Sequence, residues 1–145
     1  KVIDGKLYQL PLQEILESRK RIESLETTHY LSKDLLVQSV IEMTWDEPPM
    51  NLELALFDQQ VILEYKNQEL ILSRKSWSDG HVQSKKVPLK ELKALQIFID
   101  GSAMELFINQ GEKVMSLRYF LQQENRSCDI RSSHQMEISY SKIES

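Results

Sequence analysis

The stretch LQIFIDGSAMELFINQGEKVMSLRYF, Leu95 to Phe120, decides how the rest of the chain is read. Leu95, Ile97 and Ile99 alternate with other residues in its first limb, and Met104, Leu106 and Ile108 do so in its second. A period of two marks a half-buried strand, because successive side chains of an extended backbone leave on opposite faces. Between the limbs, Asp100-Gly101-Ser102-Ala103 predicts a hairpin loop. Folding there sets Ile99 against Met104, Ile97 against Leu106 and Leu95 against Ile108, so that these apolar side chains share one face. The opposite face then carries Phe98 and Phe107 as diagonal neighbours, an aromatic contact that packs against whatever covers it. A second turn at Gln110-Gly111 needs positive φ, which glycine supplies, and it returns Met115, Leu117 and Tyr119 to the core face. Arg118 lies diagonal to Glu105 on the other face, which predicts an ion pair there.

Working outward, the same alternation predicts strands over Leu35–Trp45, Leu52–Phe57, Gln60–Tyr65, Glu69–Arg74 and Met136–Tyr140, besides Leu95–Asp100, Met104–Asn109 and Lys113–Phe120. Without helices between them, these strands indicate an all-β fold: an antiparallel β-sandwich of two sheets, jelly-roll or lectin-like, rather than a parallel βαβ sheet. Asp46-Glu47-Pro48-Pro49 is a breaker, and Ser76 to Lys86 reads as a polar loop. At the front, Pro11 opens a segment in which Leu12, Ile15, Leu16 and Ile22 recur at helical spacing, predicting one short linker helix. The expected organisation is a connector with this helix over residues 1–32 and a β-sandwich over 33–145.

Composition narrows the function classes. With 145 residues, 41% of them hydrophobic, the chain has apolar material for one core. A net charge of -4 and a pI near 5.4 argue against nucleic acid, whose binding draws on clustered Lys and Arg. A single cysteine, Cys128, closes no intrachain disulfide, which fits a reducing cytoplasm. No apolar run approaches the roughly 18 residues that span a bilayer, so no membrane association is expected. His29, His81 and His134 are widely spaced, and no phosphate-cradling loop occurs among four glycines, so neither metal nor cofactor is expected. Trp45 ends an apolar strand and reads as core; Trp77, in a polar loop, is a candidate sugar or interface residue.

The motif residues Asp100, Ser102, Glu105, Phe107, Asn109, Gly111, Glu112 and Arg118 match, in order and spacing, a signature that resembles the C-terminal domain of family 32 glycoside hydrolases. Gly5-Lys6-Leu7-Tyr8-Gln9-Leu10-Pro11-Leu12-Gln13-Glu14-Ile15 is similar to the family's connector into that domain. Three positions depart from the pattern: Gly101 stands for the usual Arg, Gln110 for Asp, and Leu121 for Pro. The resemblance implies a parent chain, an invertase or sucrose-6-phosphate hydrolase, that cleaves β-fructofuranosides such as sucrose or sucrose 6-phosphate with retention. It further implies that catalysis resides in a five-bladed β-propeller whose carboxylates lie in Asn-Asp-Pro, Arg-Asp-Pro and Glu-Cys motifs. None of these motifs occurs in this sequence.

The resemblance thus makes the chain a non-catalytic sandwich partnered by the propeller of the same chain, a support for it and a possible surface for homo-oligomers. A carbohydrate-binding module for fructan-type glycans, using an exposed aromatic such as Trp77, is the alternative. A stand-alone hydrolase would need Asp100 and Glu105 to converge, whereas the hairpin places one in the turn and the other along the strand. Turn hydrogen bonds at Asp100 and Ser102 account for those residue types equally well.

Overall fold

The computed structural model describes residues 19–33, 35, 38–57, 60–75, 82–101, 103–118 and 126–143, and in it the period of two becomes ten strands. They are β1 (Arg19–Ser32), β2 (Gln38–Thr44), β3 (Leu52–Leu56), β4 (Val61–Lys66), β5 (Glu69–Lys75), β6 (Val82–Pro88), β7 (Ala94–Asp100), β8 (Ala103–Ile108), β9 (Lys113–Arg118) and β10 (Cys128–Ile143). Every pairing between them is antiparallel.

The order β6-β5-β4-β3-β10-β2-β7-β8-β9 turns on β10, whose two halves have different neighbours. Cys128–Ser132 pairs with β3, and Glu137–Lys142 pairs with β2. β1 lies along the other side of β10 through both halves, with register shifts between Arg21 and Glu23 and between Thr27 and His29. Such shifts sharpen local twist, which lets one ribbon serve two layers. The result is an antiparallel β-sandwich: β3 to β6 with the first half of β10 in one layer, β2 and β7 to β9 with the second half in the other.

Between the layers lies one core. Leu54, Leu56, Leu63 and Leu70 enter it from the first layer, and Ile41, Leu95, Ile97 and Ile108 from the second, all at most 1% exposed. Each such side chain contributes about 1.5–3 kcal/mol relative to exposure. Trp45 belongs to the same core at 6% exposed. Its indole Nε1 donates to Ser132 Oγ at 2.9 Å, satisfying the one polar atom the ring brings inside.

The decisive hairpin has the register the alternation predicts: Leu95 faces Ile108, Ile97 faces Leu106 and Ile99 faces Met104. Asp100 also pairs with Ala103, so the loop shortens to Gly101-Ser102, with Gly101 at φ 63°. Phe98 and Phe107 meet edge to face with centroids 5.4 Å apart. Their exposures of 8% and 4% mean that this aromatic pair is buried within the chain itself and is no open docking patch.

Four readings need correction. The helix expected over Leu12 to Ile22 does not reach its end, since from Arg19 the backbone is extended and paired to β10; its earlier part lies outside the described residues. Residues 19–32, grouped with the connector, supply β1. The polar loop expected over Ser76–Lys86 contains β6 from Val82 onward, a strand exposed at nearly every position. An edge strand exposed at six of its seven positions, it meets the core only through Val87, so its sequence carries no alternation, and Lys85, Lys86 and Pro88 are residues that blunt such edges. Finally, β10 runs far beyond Met136–Tyr140, beginning at Cys128.

The β4–β5 turn is tight. Lys66 pairs with Glu69, leaving Asn67 and Gln68 at φ 52° and 58°, the left-handed pair that a type I′ turn demands. Asn tolerates that region, but Gln has no such tolerance. Gln68 has only a long side-chain contact, 3.5 Å to Lys90 O, while its carbonyl accepts from Leu89 N at 2.9 Å, a bond glycine would keep. Gln68→Gly is therefore expected to stabilise the fold by about 0.5–1 kcal/mol. A melting temperature that stays the same or falls, measured by circular dichroism, would refute this.

Candidate functional site

The motif residues of the β7–β9 hairpins divide into those that hold turns and those that face water. Asp100, at the end of β7, accepts from Gln38 Nε2 on the neighbouring β2 at 3.2 Å. Ser102 lies outside the described residues, as does Trp77. Glu105 is exposed on β8, opposite Phe98 on one side and Ser116 on the other. It is diagonal to Arg118, yet the two form no ion pair; in water such a surface pair gains too little to hold two long side chains together. Arg118 instead offers its carbonyl to Arg74 Nη1, whose Nη2 donates to Gln83, so that Arg74 ties β5 and β6 to the last strand of the other layer.

Asn109 does most in this region. Its φ is 51°, followed by Gln110 at 60° and Gly111 at 100°, so the β8–β9 turn passes through three successive positive φ values. Asn109 Oδ1 accepts from Lys93 N at 2.7 Å and Ala94 N at 3.1 Å. Its Nδ2 donates to Glu91 O at 2.8 Å and to Glu112 Oε1 at 3.1 Å. One carboxamide thereby joins the β8–β9 turn to the segment entering β7, and Glu112 is held as part of that clasp. Sequence reading assigned Asn109 only to a motif. The signal lay in its type, because Asn is the residue that combines left-handed tolerance with a side chain able to bond backbone on both sides.

The register puts Asp100 and Glu105 on one face as diagonal neighbours, roughly 7–8 Å apart by backbone geometry. Both are exposed, and neither lines either of two hollows formed by the described residues. A retaining glycosidase needs carboxyl groups about 5 Å apart inside a pocket that raises the pKa of one of them.

The first hollow, about 360 Å³, lies over β3, β4 and the end of the first half of β10 and is lined by Asn51, Glu53, Glu64, Lys66, Arg131 and Ser133 among others. The second, about 200 Å³, is bordered by Glu26, Asp46, Glu47, His134 and Glu137, with His134 Nε2 3.4 Å from Glu47 Oε2. Among the described residues no group of His, Cys, Asp and Glu side chains is disposed to hold a metal ion. No described helix is long and apolar enough to cross a membrane, which says nothing of strands.

Elsewhere the titrating groups are structural. Burial pushes the Cys128 thiol up to about 12, the charges of Asp129 and Glu23 adding to the effect and a hydrogen bond with the Ser32 backbone opposing it. Tyr30 is pushed up by burial and by its bond to Glu23 Oε1 at 2.7 Å. Burial raises the carboxyl of Asp129, but bonds from His29 at 2.8 Å and Arg131 outweigh it and leave the group below its usual range. Arg126, unnoticed in the sequence, sets its guanidinium 5.4 Å above the ring of Phe57, a fully buried residue at φ 54°, and donates from Nε to Leu35 O at 2.9 Å.

A two-layer antiparallel β-sandwich is the class of protein this geometry defines. Residues 53–144 match the family model described as "Glycosyl hydrolases family 32 C terminal". The chain belongs to that family, as its C-terminal domain. It is 31% identical over 143 residues to a sucrose-6-phosphate hydrolase of Escherichia coli, covering 90% of this chain and 30% of that enzyme. It is 28% identical over 142 residues to a raffinose invertase, also of Escherichia coli, with the same coverage. A solved sucrose-6-phosphate hydrolase from Lactobacillus gasseri superposes with TM-score 0.74 at 21% identity, over 100% of this chain and 32% of that one. The chain thus spans about a third of the length of the relatives it matches.

Two measurements check the site. Asn109→Ala is expected to cost about 2–4 kcal/mol, from lost side-chain bonds and an unfavourable left-handed φ, whereas Asn109→Gly, which takes that φ freely, should cost about 1 kcal/mol less. Equal losses in urea unfolding would show that the clasp, and not the backbone, is the whole effect. For Cys128 the folded pKa lies above its ordinary 9.0, so its contribution is present below pH 9 and declines as pH rises toward 12. Stability should therefore begin to fall above about pH 9. Cys128→Ala should flatten the profile just above 9.0, below the ordinary tyrosine value of 10.0; an unchanged slope there would exclude the thiol as its source.

Proposed function

We propose that the chain is the non-catalytic C-terminal β-sandwich of an enzyme that hydrolyses β-fructofuranosides such as sucrose or sucrose 6-phosphate. In this reading a five-bladed β-propeller preceding it in the same chain performs the chemistry in the cytoplasm. Residues 1–32 connect the two, contributing β1 to the sheets, and 33–145 make up the rest of the sandwich. The sandwich supports the propeller and offers a surface on which copies of the enzyme can associate.

The observation that carries this is the state of the motif carboxylates. Asp100 is exposed and bonded to Gln38, Glu105 is exposed and lines neither hollow formed by the described residues, and Glu112 is engaged with Asn109. None of the three is desolvated, and a general acid at neutral pH needs an environment that raises its pKa. The kinship with sucrose-6-phosphate hydrolases supports the substrate class.

The chain alone is expected to release no reducing sugar from sucrose or sucrose 6-phosphate. Deleting it from the two-part enzyme is expected to lower the melting temperature of the remaining catalytic part by several degrees, the shift that a loss of about 1–2 kcal/mol produces in a domain of that size. Sucrose cleavage by the chain alone, abolished by Glu105→Gln in a protein that still folds, would overturn the proposal.

A further inference from the structure

The larger hollow on the first layer is a groove between two rows of side chains. Arg131, Glu53 and Glu64 stand directly opposite one another on β10, β3 and β4 and form one wall. Two residues along, Ser133, Asn51 and Lys66 form the other. The floor is the backbone of Ser132, Leu52 and Tyr65, whose own side chains turn inward: Leu52 and Tyr65 are 2% and 3% exposed, and Ser132 Oγ holds the indole of Trp45. Strand geometry makes such a groove about 7 Å wide and about 10 Å long across three strands.

Its polar groups are unevenly engaged. Ser133 Oγ is saturated by Met50 N, Asn51 N and His134. Lys66 Nζ reaches Glu64 Oε2 only at 3.9 Å, and Arg131 Nε lies 3.5 Å from Asp129 rather than on Glu53. Among the described residues, the carboxylate of Glu53 and the side-chain amide of Asn51 have no hydrogen-bonding partner, and they flank the middle of the groove. Glu53 moreover faces the like charge of Glu64 directly across the ladder, a pairing that destabilises a sheet. Nothing in the packing requires it, and positions that cost stability without a structural return are where function is sought.

We propose that this groove binds a neutral saccharide of one or two rings. Its formal charges cancel, Glu53 and Glu64 against Lys66 and Arg131, so it selects neither a phosphate nor a divalent cation. A carboxylate beside a carboxamide and a guanidinium, all with free valences, suits adjacent groups that both donate and accept, which are vicinal hydroxyls. The volume of about 360 Å³ is at the low end of ligand sites, and the open shape sets a weak, millimolar affinity. This goes beyond the scaffold role and does not depend on it, since binding here neither needs nor supplies catalysis.

The test is titration of the isotope-labelled chain with sucrose, followed by backbone amide shifts. Saturable shifts at residues 51–53, 64–66 and 131–133 are expected, with inorganic phosphate and calcium chloride leaving those amides in place. Glu53→Val should weaken binding at least about tenfold while holding or raising the melting temperature, because it removes a like-charge contact. Asn51→Ala, at an exposed position, should weaken binding without unfolding the chain. Absence of saturable shifts, shifts mapping elsewhere, phosphate or calcium acting at the same amides, or undiminished binding by both variants would each overturn the assignment.

Discussion

One strand sets the geometry of everything else. β10 gives its first half to β3 and its second to β2, so the register of both layers is fixed by a single run of backbone from Cys128 to Ile143. The layers cannot slide past one another without breaking a ladder, because a slip of one residue would turn every inward side chain of that layer to water. The crossing point is pinned by hydrogen bonds rather than by packing alone. Ser132 receives the indole of Trp45 and donates to His134 O, while Ser133 receives the amides of Met50 and Asn51. Of these adjacent serines, Ser133 satisfies the backbone of the loop before β3, while Ser132 anchors the Trp45 ring and bridges to its own strand, which is what small hydroxyl side chains do well at a bend.

This division explains what could be read in the sequence. Strands with one face on the core, such as β7 and β8, show the period of two, and their register follows from the hairpin between them down to the Phe98–Phe107 contact. β6 is exposed everywhere but at Val87 and shows none. β1 is harder still. Between Glu23 and Leu31 only Tyr30 is buried, the ladder shifts twice, and Ile22 falls in with the helical spacing of the apolar residues before it in the sequence. Its strand character is imposed by β10 alongside, a tertiary constraint that local pattern cannot express. The same holds for Arg126 above Phe57, two residues that the fold brings together from distant parts of the sequence.

At the candidate site the turn chemistry was legible in part. Gly111 marked the β8–β9 turn, but the load falls on Asn109, whose clasp reaches back to Glu91, Lys93 and Ala94. That clasp bears on the departure at Gln110, where Asp is usual. With Asn109 bonded on four sides and Gly111 free to take φ 100°, the residue between them has its backbone dictated from both ends, and a Gln at φ 60° is carried as local strain. The expected ion pair of Glu105 and Arg118 failed for the opposite reason: nothing outside the two side chains holds either of them in place.

Two kinds of unfavourable choice therefore coexist, and they have different causes. Gln68 and Gln110 sit at hairpin tips where the chain must reverse, and the cohesion of the core behind them overrides a strain of about 1 kcal/mol each. Glu53 and Glu64 oppose one another in the middle of two regular strands, with no turn, bulge or cap between them to dictate their identity. Any β-former would satisfy the backbone there, and the exposed cations beside them, Arg131 opposite Glu53 and Lys66 at 3.9 Å from Glu64, return little stability. Arg131 stands in the neighbouring position of the ladder, yet its Nε lies toward Asp129. A backbone demand explains the first pair of residues; no such demand acts on the second, and that is why a ligand is sought in the groove beside it.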